Sequence, residues 1–486
     1  MKVFKLLSFG LLFYFLIPYV LFFRFFNLDL NLDYRELFWA FKNSFLQSFL
    51  SALLVTVLGI PLSLGLFKLQ GKIYSSVLTI LLIPQILPTL FSILIAFSIW
   101  KPFPLGSVGI SFIFMLIYLG FATTLIHHSI CGKMGSYAVV SEVFGLSRLQ
   151  FFKKIFFPLM RTDLLVCFLL IFIFCFSSFS IPLVAGGGRD TNIELLIFEK
   201  IFIGQKWSAA WTLSVIQNLF LLGLSLFLIR RKSTVRLELS VCSYITSSIG
   251  FVLLFIYLII YLAGYVLGLV QSLPAISQLD LFYNEILAAT FTSLKLLFLY
   301  LLISFSLLYL WLHDFVVNHR LNFASHLLSV STVLVGFVFY LFFPQSQDAD
   351  FIKIPIALSI LYFPVLFKSF LEKTVLQLKE QVIVAQVYSI STRLIVWEVI
   401  IRRLKTPLMV WFSFLTIWFL SDFATLSALG TQSPTLGLMA GGFISGYRLS
   451  LAYLMSLYIL IIWLAILALV FFLTGVWRVP HQKFKI

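Results

Sequence analysis

The segment SEVFGLSRLQFFKKIFFPLM, Ser141 to Met160, is a cationic stretch with a glycine in a chain that is otherwise very apolar. A related segment, AQVYSISTRLIVWEVIIRRL, recurs at Ala385 to Leu404. Each segment lies between apolar runs of the kind that cross a bilayer as a helix of about 20 residues. The two segments and their flanking runs therefore predict a helical membrane protein made of two similar halves.

The composition is that of a protein that lies in lipid. Of the 486 residues, 61% are hydrophobic and 11% are charged, whereas a soluble domain carries roughly 25% charged residues. The apolar runs are continuous and do not alternate with polar residues, which favours helices over a β-barrel. We therefore predict an all-α polytopic membrane protein. The net charge of +16 is attributed to topology and to contact with membrane lipid, with no nucleic-acid binding.

Twelve apolar runs are long enough to be transmembrane helices. They lie at about 4–26, 44–67, 73–100, 105–128, 162–184, 207–229, 245–270, 284–312, 325–344, 351–371, 407–429 and 450–475. The first run is interpreted as an uncleaved span rather than a signal peptide. Basic residues gather at both termini and in alternate loops, and the opposite loops are richer in acids. The positive-inside rule therefore predicts that both termini are cytoplasmic.

The polar linker RRKSTVRLE, at 230–238, divides the chain into two predicted halves of about six spans each, 1–235 and 236–486. Residues 244 positions apart agree well beyond the two opening segments. Matched pairs include Ser147 with Ser391, Phe179 with Phe423, Gly186 with Gly430 and Thr191 with Thr435. Agreement at Ser, Thr and Gly without a gap indicates an internal duplication, with both copies in the same orientation.

The opening segment is predicted to form a short helix–turn–helix along the membrane surface. Residues from about 136 to 144 suit one helix, and Gly145 suits the left-handed turn that ends it. Ser147 and Gln150 have the spacing of a capping box for a second helix. Pro158 falls where the chain turns into the next span.

The second helix of this segment is predicted to be amphipathic. Phe151, Ile155 and Leu159 follow one face, and Lys153 and Lys154 lie off it. An interfacial helix that meets lipid head groups explains the charges. It does not explain the glycine break or the second copy, so we favour a docking element for a soluble partner.

The segment resembles the EAA loop of binding-protein-dependent ABC importer permeases. That pattern runs Glu-Ala-Ala, three residues, Gly, and a hydrophobic stretch that closes on Pro. Gly145 and Pro158 match its spacing, whereas Val139 stands at the family's glutamate and Glu142 is displaced by three positions. In the second copy, Ser389 replaces the glycine and Arg402 replaces the proline.

The resemblance implies the type I ABC importer transmembrane fold in two fused, same-orientation permease halves. It also implies coupling loops near 129–161 and 373–406, on which a cytoplasmic ABC ATPase docks, with one copy under each half. The residues of this sequence that fall in those loops and are expected to contribute to docking are Glu142, Gly145, Ser147, Pro158, Gln386, Ser389 and Ser391.

A second resemblance is narrower. The stretch FSSFSIPLVAGGGRDTNIELLIFEKI, at 176–201, is similar to the segment after the fifth span of thiamine-transport permeases, and LSDFATLSALGTQSPTL, at 420–436, is similar to that family's Ser-x-Asp-Phe segment. Ferric-iron importer permeases have related fused halves. The resemblance implies uptake of thiamine or its phosphate esters across the bacterial inner (plasma) membrane, with a periplasmic or extracellular binding protein that delivers the substrate.

The chain itself offers no ATP site. GLFKLQGKI, at 65–73, has the wrong glycine spacing for a P-loop, and Ile73 has no hydroxyl for magnesium. The sequence contains neither a nucleophile–base cluster nor metal-ligand spacing. We therefore expect a transport subunit that is not an enzyme and binds no cofactor or metal, with ATP and Mg on the partner ATPase.

Two places are candidates for the translocation path or an outer gate. Gly186, Gly187 and Gly188 permit irregular backbone at the outer mouth, and a flexible surface loop is the alternative. Asp422 beside Phe423 could attract the thiazolium cation of thiamine by charge and aromatic contact. The alternative for Asp422 is a carboxylate that packs between helices.

Two rival functions remain open from the sequence. Within the same class, the substrate would be ferric iron. In a different class, the chain would be an ion-coupled secondary transporter, since twelve spans in two halves fit that class too. The paired surface loop distinguishes these classes, because a secondary transporter does not need a docking site for an ATPase.

Overall fold

The computed structural model describes residues 2–23, 33–87, 89–188, 190–229, 246–319 and 331–474. These residues form helices and no strand, as the composition predicts. The linker at 230–238 and the basic residues after 474 lie outside the described residues. The backbone of Glu142 is described, but its side chain is not.

The helices differ widely in length. In chain order they are α1 Lys2–Phe22, α2 Tyr34–Leu66, α3 Gly71–Ile86, α4 Thr89–Ile99, α5 Ser107–Lys133, α6 Gly135–Val143, α7 Arg148–Phe151, α8 Phe157–Phe176, α9 Ser180–Ala185, α10 Ile193–Phe202, α11 Trp207–Ile229, α12 Ser248–Ser272, α13 Ile276–Leu279, α14 Tyr283–Asn318, α15 Thr332–Phe342, α16 Gln347–Leu366, α17 Glu372–Gln377, α18 Lys379–Val387, α19 Thr392–Leu394, α20 Lys405–Ser421, α21 Ala424–Ala428, α22 Leu436–Ser445 and α23 Leu449–Thr474. Wider π-helical turns cover Phe152–Phe156, Phe367–Leu371 and Ile395–Ile401, and 3₁₀ turns cover Leu273–Ala275 and Asp280–Phe282.

Seven helical stretches of the described residues are long and apolar enough to cross a membrane, or eight if α3 and α4 together make one bent span. One of the seven, Ser248–Asn318, contains both α12 and α14. Four shorter apolar helices are Gly10–Phe22, Thr332–Phe342, Pro407–Ser421 and Leu436–Ser445. The protein therefore fits a polytopic membrane protein. The count of twelve spans and the six-plus-six arrangement stay predictions.

Two predicted spans, 162–184 and 407–429, are wrong as single helices. The first is α8 followed by α9, and the second is α20 followed by α21. In the second case the backbone of Asp422 is extended, and its carboxylate accepts the N–H of Thr425 at 2.9 Å. A short polar side chain that bonds to nearby backbone competes with the helix and turns the chain.

The described residues fall into two compact units. Unit 1 is Met1–Leu16, Ser272–Ser325 and Phe339–Ile486, and unit 2 is Ile17–Gln271 and His326–Val338. In unit 2, α2, α5 and α8 pack against one another, and in unit 1, α14, α16 and α20 do the same. Each trio buries leucine, isoleucine and phenylalanine side chains, so each unit has an apolar core of its own.

The first helix of each predicted half packs with the trio of the other half. In unit 1, the hydroxyl of Tyr14 on α1 bonds to that of Ser359 on α16. In unit 2, Tyr257 on α12 donates to the carbonyl of Leu116 on α5 at 3.0 Å. These partners correspond at 243 positions. The boundary at 235 lies outside the described residues, so the two sequence halves remain a predicted division, distinct from the compact units.

The register between the halves changes by one residue. Phe179 and Phe423, 244 positions apart, both precede a short helix with nearly the same backbone angles. That helix has six residues in α9 and five in α21. The left-handed Gly430 therefore corresponds to Gly187 and not to Gly186, and Thr435 corresponds to the helix-capping Asn192 rather than to Thr191.

Candidate functional site

The first predicted docking element has the expected turn and cap. Gly145 is left-handed, with φ of +59°, and Leu146 donates its N–H to the carbonyl of Ser141 at 3.1 Å, which is the Schellman arrangement. Ser147 and Gln150 make both bonds of a capping box. Pro158 lies in the first turn of α8. The helix–turn–helix conformation is confirmed, and its docking role remains to be tested.

The second element repeats the turn without the glycine. Ser389 has φ of +55°, and Ile390 donates to the carbonyl of Ala385 at 3.2 Å. Both features lie 244 positions after their counterparts at Gly145 and Leu146. Ser391 precedes α19 as Ser147 precedes α7, but its hydroxyl makes no capping bond. Serine thus adopts a conformation that favours glycine, so the turn is kept at a steric cost.

The predicted apolar stripe is wrong beyond its first residue. Each element contains a π-helical turn, which inserts one residue into the helical repeat. Fully buried side chains at matching positions are Phe151, Phe156 and Met160 in the first element and Ile395, Ile400 and Leu404 in the second, and the second element buries Val396 as well. Ile155 and Leu159 are only half-buried, whereas Lys153 and Lys154 are exposed as predicted.

Each element exposes a matching set of apolar side chains. The first patch is Val140, Val143 and Phe144, and the second patch is Val384, Val387 and Tyr388. Phe144 is 77% exposed and Tyr388 is 76% exposed. Three aligned pairs of exposed apolar side chains are unusual on a surface that meets only water. Gln386 does not join this surface, because its amide donates to the carbonyl of Val316 on α14 at 2.7 Å.

The glycine run adopts the irregular backbone that the sequence predicts at two of its three positions. Gly187 has φ of +61° and Gly188 has φ of +70°, whereas Gly186 is right-handed and ends α9. Just after the run, the carboxylate of Asp190 accepts the N–H of Ser107 at 2.5 Å and its hydroxyl at 2.7 Å. The loop is therefore tied to the start of α5, and its role as a gate stays a prediction.

Asp422 and Phe423 are neighbours in the chain but contact different groups. Asp422 is 6% exposed, and its carboxylate accepts the hydroxyl of Tyr362 on α16 at 2.8 Å. Phe423 packs against Gly441, where an added Cβ would stand 2.0 Å from the ring. The close approach of α22 holds this corner, and the two predicted residues do not form one aromatic–carboxylate pair.

Three buried polar groups were missed in the sequence. Asp350 and Lys353 form an ion pair at 2.8 Å with both side chains fully buried. The available signal was their spacing of three residues, with Asp350 directly before a predicted span and Lys353 inside it. Glu194 at the start of α10 accepts bonds from Gln217 at 2.9 Å and Ser331 at 2.9 Å. Burial raises the pKa of Glu194 to about 7, and these two bonds oppose the rise.

The described residues do not gather three His, Cys, Asp or Glu side chains in a geometry for a metal ion. Their polar clusters instead pair single carboxylates with hydroxyl, amide or ammonium groups. Such clusters can hold helices in register or receive a polar or cationic solute.

Comparison with known proteins gives a partial likeness to a transport protein. No family model matches the chain. It is 30% identical over 128 residues to the thiamine transport system permease protein ThiP of Salmonella typhimurium, and the match covers 26% of this chain and 24% of that protein. The chain is similar to a membrane permease. This likeness and the apolar helices together indicate a multi-pass membrane protein.

Proposed function

We propose that this chain is the membrane-spanning permease subunit of an ATP-driven ABC importer. The observation that carries the proposal is the paired helix–turn–helix, with the same left-handed turn at Gly145 and Ser389 and an exposed apolar patch on each copy. An ATPase on the cytoplasmic side would bind both patches, and ATP and Mg would be bound there and not by this chain.

The way each patch is anchored supports a coupling role. Phe151, Phe156 and Met160 bury the first element against its unit, and α8 continues from it without a loop. In the second element, Ile395, Ile400 and Leu404 do the same before α20. A partner that moves the patch would therefore move a long helix with it, and close packing transmits such displacements.

The equivalence of the two patches supports two copies of one ATPase. The aligned pairs are valine with valine twice and phenylalanine with tyrosine. A fused permease with two unlike docking elements would need two different partners, whereas the same turn and the same apolar side chains suit one partner used twice.

For the cargo, we propose thiamine or its phosphate esters, brought to the opposite face by a soluble binding protein. The support is the partial similarity to a thiamine transport system permease and the buried carboxylate of Asp422, which suits a cation. Ferric iron is the next substrate to test.

The experiment is reconstitution of the full chain in proteoliposomes with its candidate ATPase and binding protein, followed by uptake of labelled thiamine. We expect uptake that requires ATP and both partners. ATP hydrolysis by the assembled complex without thiamine uptake would keep the importer class and reject the substrate. Uptake that follows an ion gradient without the ATPase would replace the importer with a secondary transporter.

Docking is tested by the variants Phe144→Glu and Tyr388→Glu. The matched control is Ile203→Glu, because Ile203 is 76% exposed but lies on the loop after α10, on the predicted outer side. Loss of a central apolar contact costs an interface about tenfold or more in affinity. We expect the first two variants, and not the third, to lose bound ATPase. Equal ATPase binding by all three would contradict docking at these patches.

A further inference from the structure

The core of unit 1 contains a cluster of polar groups between α14, α16 and the corner after α20. The carboxylate of Asp422 accepts the hydroxyl of Tyr362 at 2.8 Å. Tyr300 on α14 is fully buried, and its ring stacks on that of Phe419, three residues before Asp422. Ser304, one turn further along α14, is fully buried too. The cluster therefore joins one acid to two tyrosines inside an otherwise apolar unit.

This cluster contains hydroxyl groups that lie near one another without the geometry of a hydrogen bond. Among the described residues, the hydroxyls of Tyr300, Ser304 and Thr425 make no hydrogen bond by distance and angle, and all three side chains are fully buried. A buried polar group without a hydrogen-bond partner destabilises the folded state. Three such groups around one carboxylate are a poor solution for packing alone, and they are the groups that a bound polar solute would satisfy.

The other half of the chain lacks the cluster. By the correspondences already described, Tyr362 matches Leu119 on α5 and Asp422 matches Ser178 after α8. The match between α2 and α14 follows from two serines. Ser44 on α2 accepts the N–H of Ile193, the first residue of α10, and Ser293 on α14 accepts the N–H of Leu436, the first residue of α22. That match pairs Tyr300 with Ser51.

The same trio of helices thus packs in unit 2 without an acid or tyrosine at these three positions. The acid and tyrosines are therefore not required by the packing scheme itself. When two halves share the same helix packing but only one of them carries the acid and the tyrosines, the pattern is that expected of a single binding site in that half.

The chemistry of the cluster selects the class of ligand. One carboxylate supplies one negative charge, and the ring of Tyr300 stacks on Phe419 at 4.9 Å while that of Tyr362 meets Trp418 edge-on at 5.3 Å. Aromatic faces attract delocalised organic cations. A hard metal cation would instead require several anionic oxygen ligands.

We propose that Asp422, Tyr300 and Tyr362 form the binding site of unit 1 for a small organic cation, with Asp422 neutralising its charge and the Tyr300 hydroxyl oxygen accepting a hydrogen bond from an N–H group of the cation. The proposal rests on the proposed transport function, since it names the substrate class that the path would accept. The close packing of α22 fixes the site: an added Cβ on Gly437 would stand 2.3 Å from the carbonyl oxygen of Asp422.

The test is equilibrium binding of labelled thiamine, the organic cation used as probe, to the purified full chain in lipid nanodiscs without any partner. We expect Asp422→Asn to weaken binding at least about tenfold and Tyr300→Phe or Tyr362→Phe to weaken it several-fold. Glu194→Gln is the matched control, because it also converts a buried hydrogen-bonded carboxyl group to an amide, but in unit 2.

Tyr300→Phe separates binding from packing. It removes a hydroxyl that has no hydrogen-bond partner in the described part of the chain, so thermal stability should stay the same or rise while binding falls. A folded Asp422→Asn variant that binds thiamine like the unchanged chain would overturn the proposal. So would an unchanged chain that does not bind thiamine at millimolar concentration, or one that binds ferric citrate in its place.

The two proposals fail in different ways. Binding is measured without the ATPase, so cation binding that depends on Asp422 would stand even if no ATPase associates with the chain. Conversely, ATP-driven thiamine uptake that is unaffected by Asp422→Asn would keep the importer and reject this site.

Discussion

Each half of the chain has a contact between a helix N-terminus and a distant loop, and the aspartate that makes this contact lies on the loop in one half and on the helix in the other. In unit 2, Asp190 lies in the loop after α9 and accepts from Ser107 at the start of α5. In unit 1, Asp350 lies in the first turn of α16 and accepts the N–H of Ser433, in the loop after α21, at 2.7 Å. Ser107 corresponds to Asp350 and Asp190 to Ser433, both at 243 positions.

This exchange teaches that the frame specifies a donor–acceptor contact and not a particular residue at either end. A carboxylate on the loop can accept from the helix N-terminus, and a carboxylate on the helix can accept from loop N–H groups. Both arrangements satisfy buried backbone donors, which would otherwise cost free energy. The second half then adds Lys353, where the first half has Ile110.

The largest effect on stability is expected from a substitution that breaks the contact of the second half, which contains the buried ion pair between Asp350 and Lys353. Lys353→Met should lower the free energy of unfolding by about 3–5 kcal/mol, because it leaves Asp350 fully buried without its cation. Asp190→Asn in the other half should cost only about 1–2 kcal/mol, since that side chain is partly exposed and has no ion-pair partner among the described residues. Denaturation in detergent, followed by tryptophan fluorescence, measures both.

The triple variant Asp350→Ser, Lys353→Ile, Ser433→Asp sharpens the comparison, because it writes the first half's pattern into the second. If the two contacts are equivalent, it should recover most of the stability that Lys353→Met loses. A triple variant as unstable as Lys353→Met would mean that the resemblance between the two contacts is superficial.

A second difference between the halves concerns the corresponding helices α10 and α22. The second residue is Glu194 in α10 and Gly437 in α22. Burial raises the pKa of Glu194 from 4.5 to about 7. At a pH between these two values, the folded state holds a proton that the unfolded chain has released. The stability of the fold is therefore greatest below the pKa of the unfolded chain, and it falls as the pH rises through the pKa of the folded state.

Glu194→Gln should remove this pH dependence. Above pH 7 the variant should be more stable than the unchanged chain by on the order of 1–3 kcal/mol, and near pH 5 the two should be similar. Melting temperatures at a series of pH values between these limits measure the slope. Glu398→Gln is the control, because that carboxylate is exposed beside Arg402. An equal slope in the unchanged chain and in Glu194→Gln would show that another group titrates.

The sequence predicted local structure well where one short stretch determines it. Gly145 and the spacing of Ser147 with Gln150 are complete signals, because a glycine turn and a capping box need no distant partner. The second copy could be found by its offset, but its left-handed Ser389 could not. Serine costs about 1 kcal/mol more than glycine in that conformation, and the packing of the neighbouring helices outweighs this cost.

The sequence failed where a remote partner decides the geometry. The buried line runs through Phe156 instead of Ile155 because packing against the unit selects a π-helical turn that helical periodicity cannot show. Asp422 was recognisable as a charge in a span, but Tyr362, its partner, lies 60 residues earlier on another helix. Such groupings follow from tertiary contacts and not from local pattern.

The smallest effect, and the cleanest comparison, comes from exchanging the residues of the two turns. Gly145→Ser should destabilise the first turn by about 1 kcal/mol, and Ser389→Gly should stabilise the second by a similar amount. An added Cβ at Gly145 has no other atom within 4 Å, so backbone conformation alone should set the cost.

Hydrogen exchange at the amides of Leu146 and Ile390 reads each turn directly, since each amide makes the bond that closes its turn. We expect about fivefold faster exchange at Leu146 in Gly145→Ser and about fivefold slower exchange at Ile390 in Ser389→Gly. Changes in the same direction would mean that the turns are not equivalent. Opposite changes would leave the second half with the weaker turn in the natural chain, and a partner bound at both patches should then protect Ile390 more than Leu146.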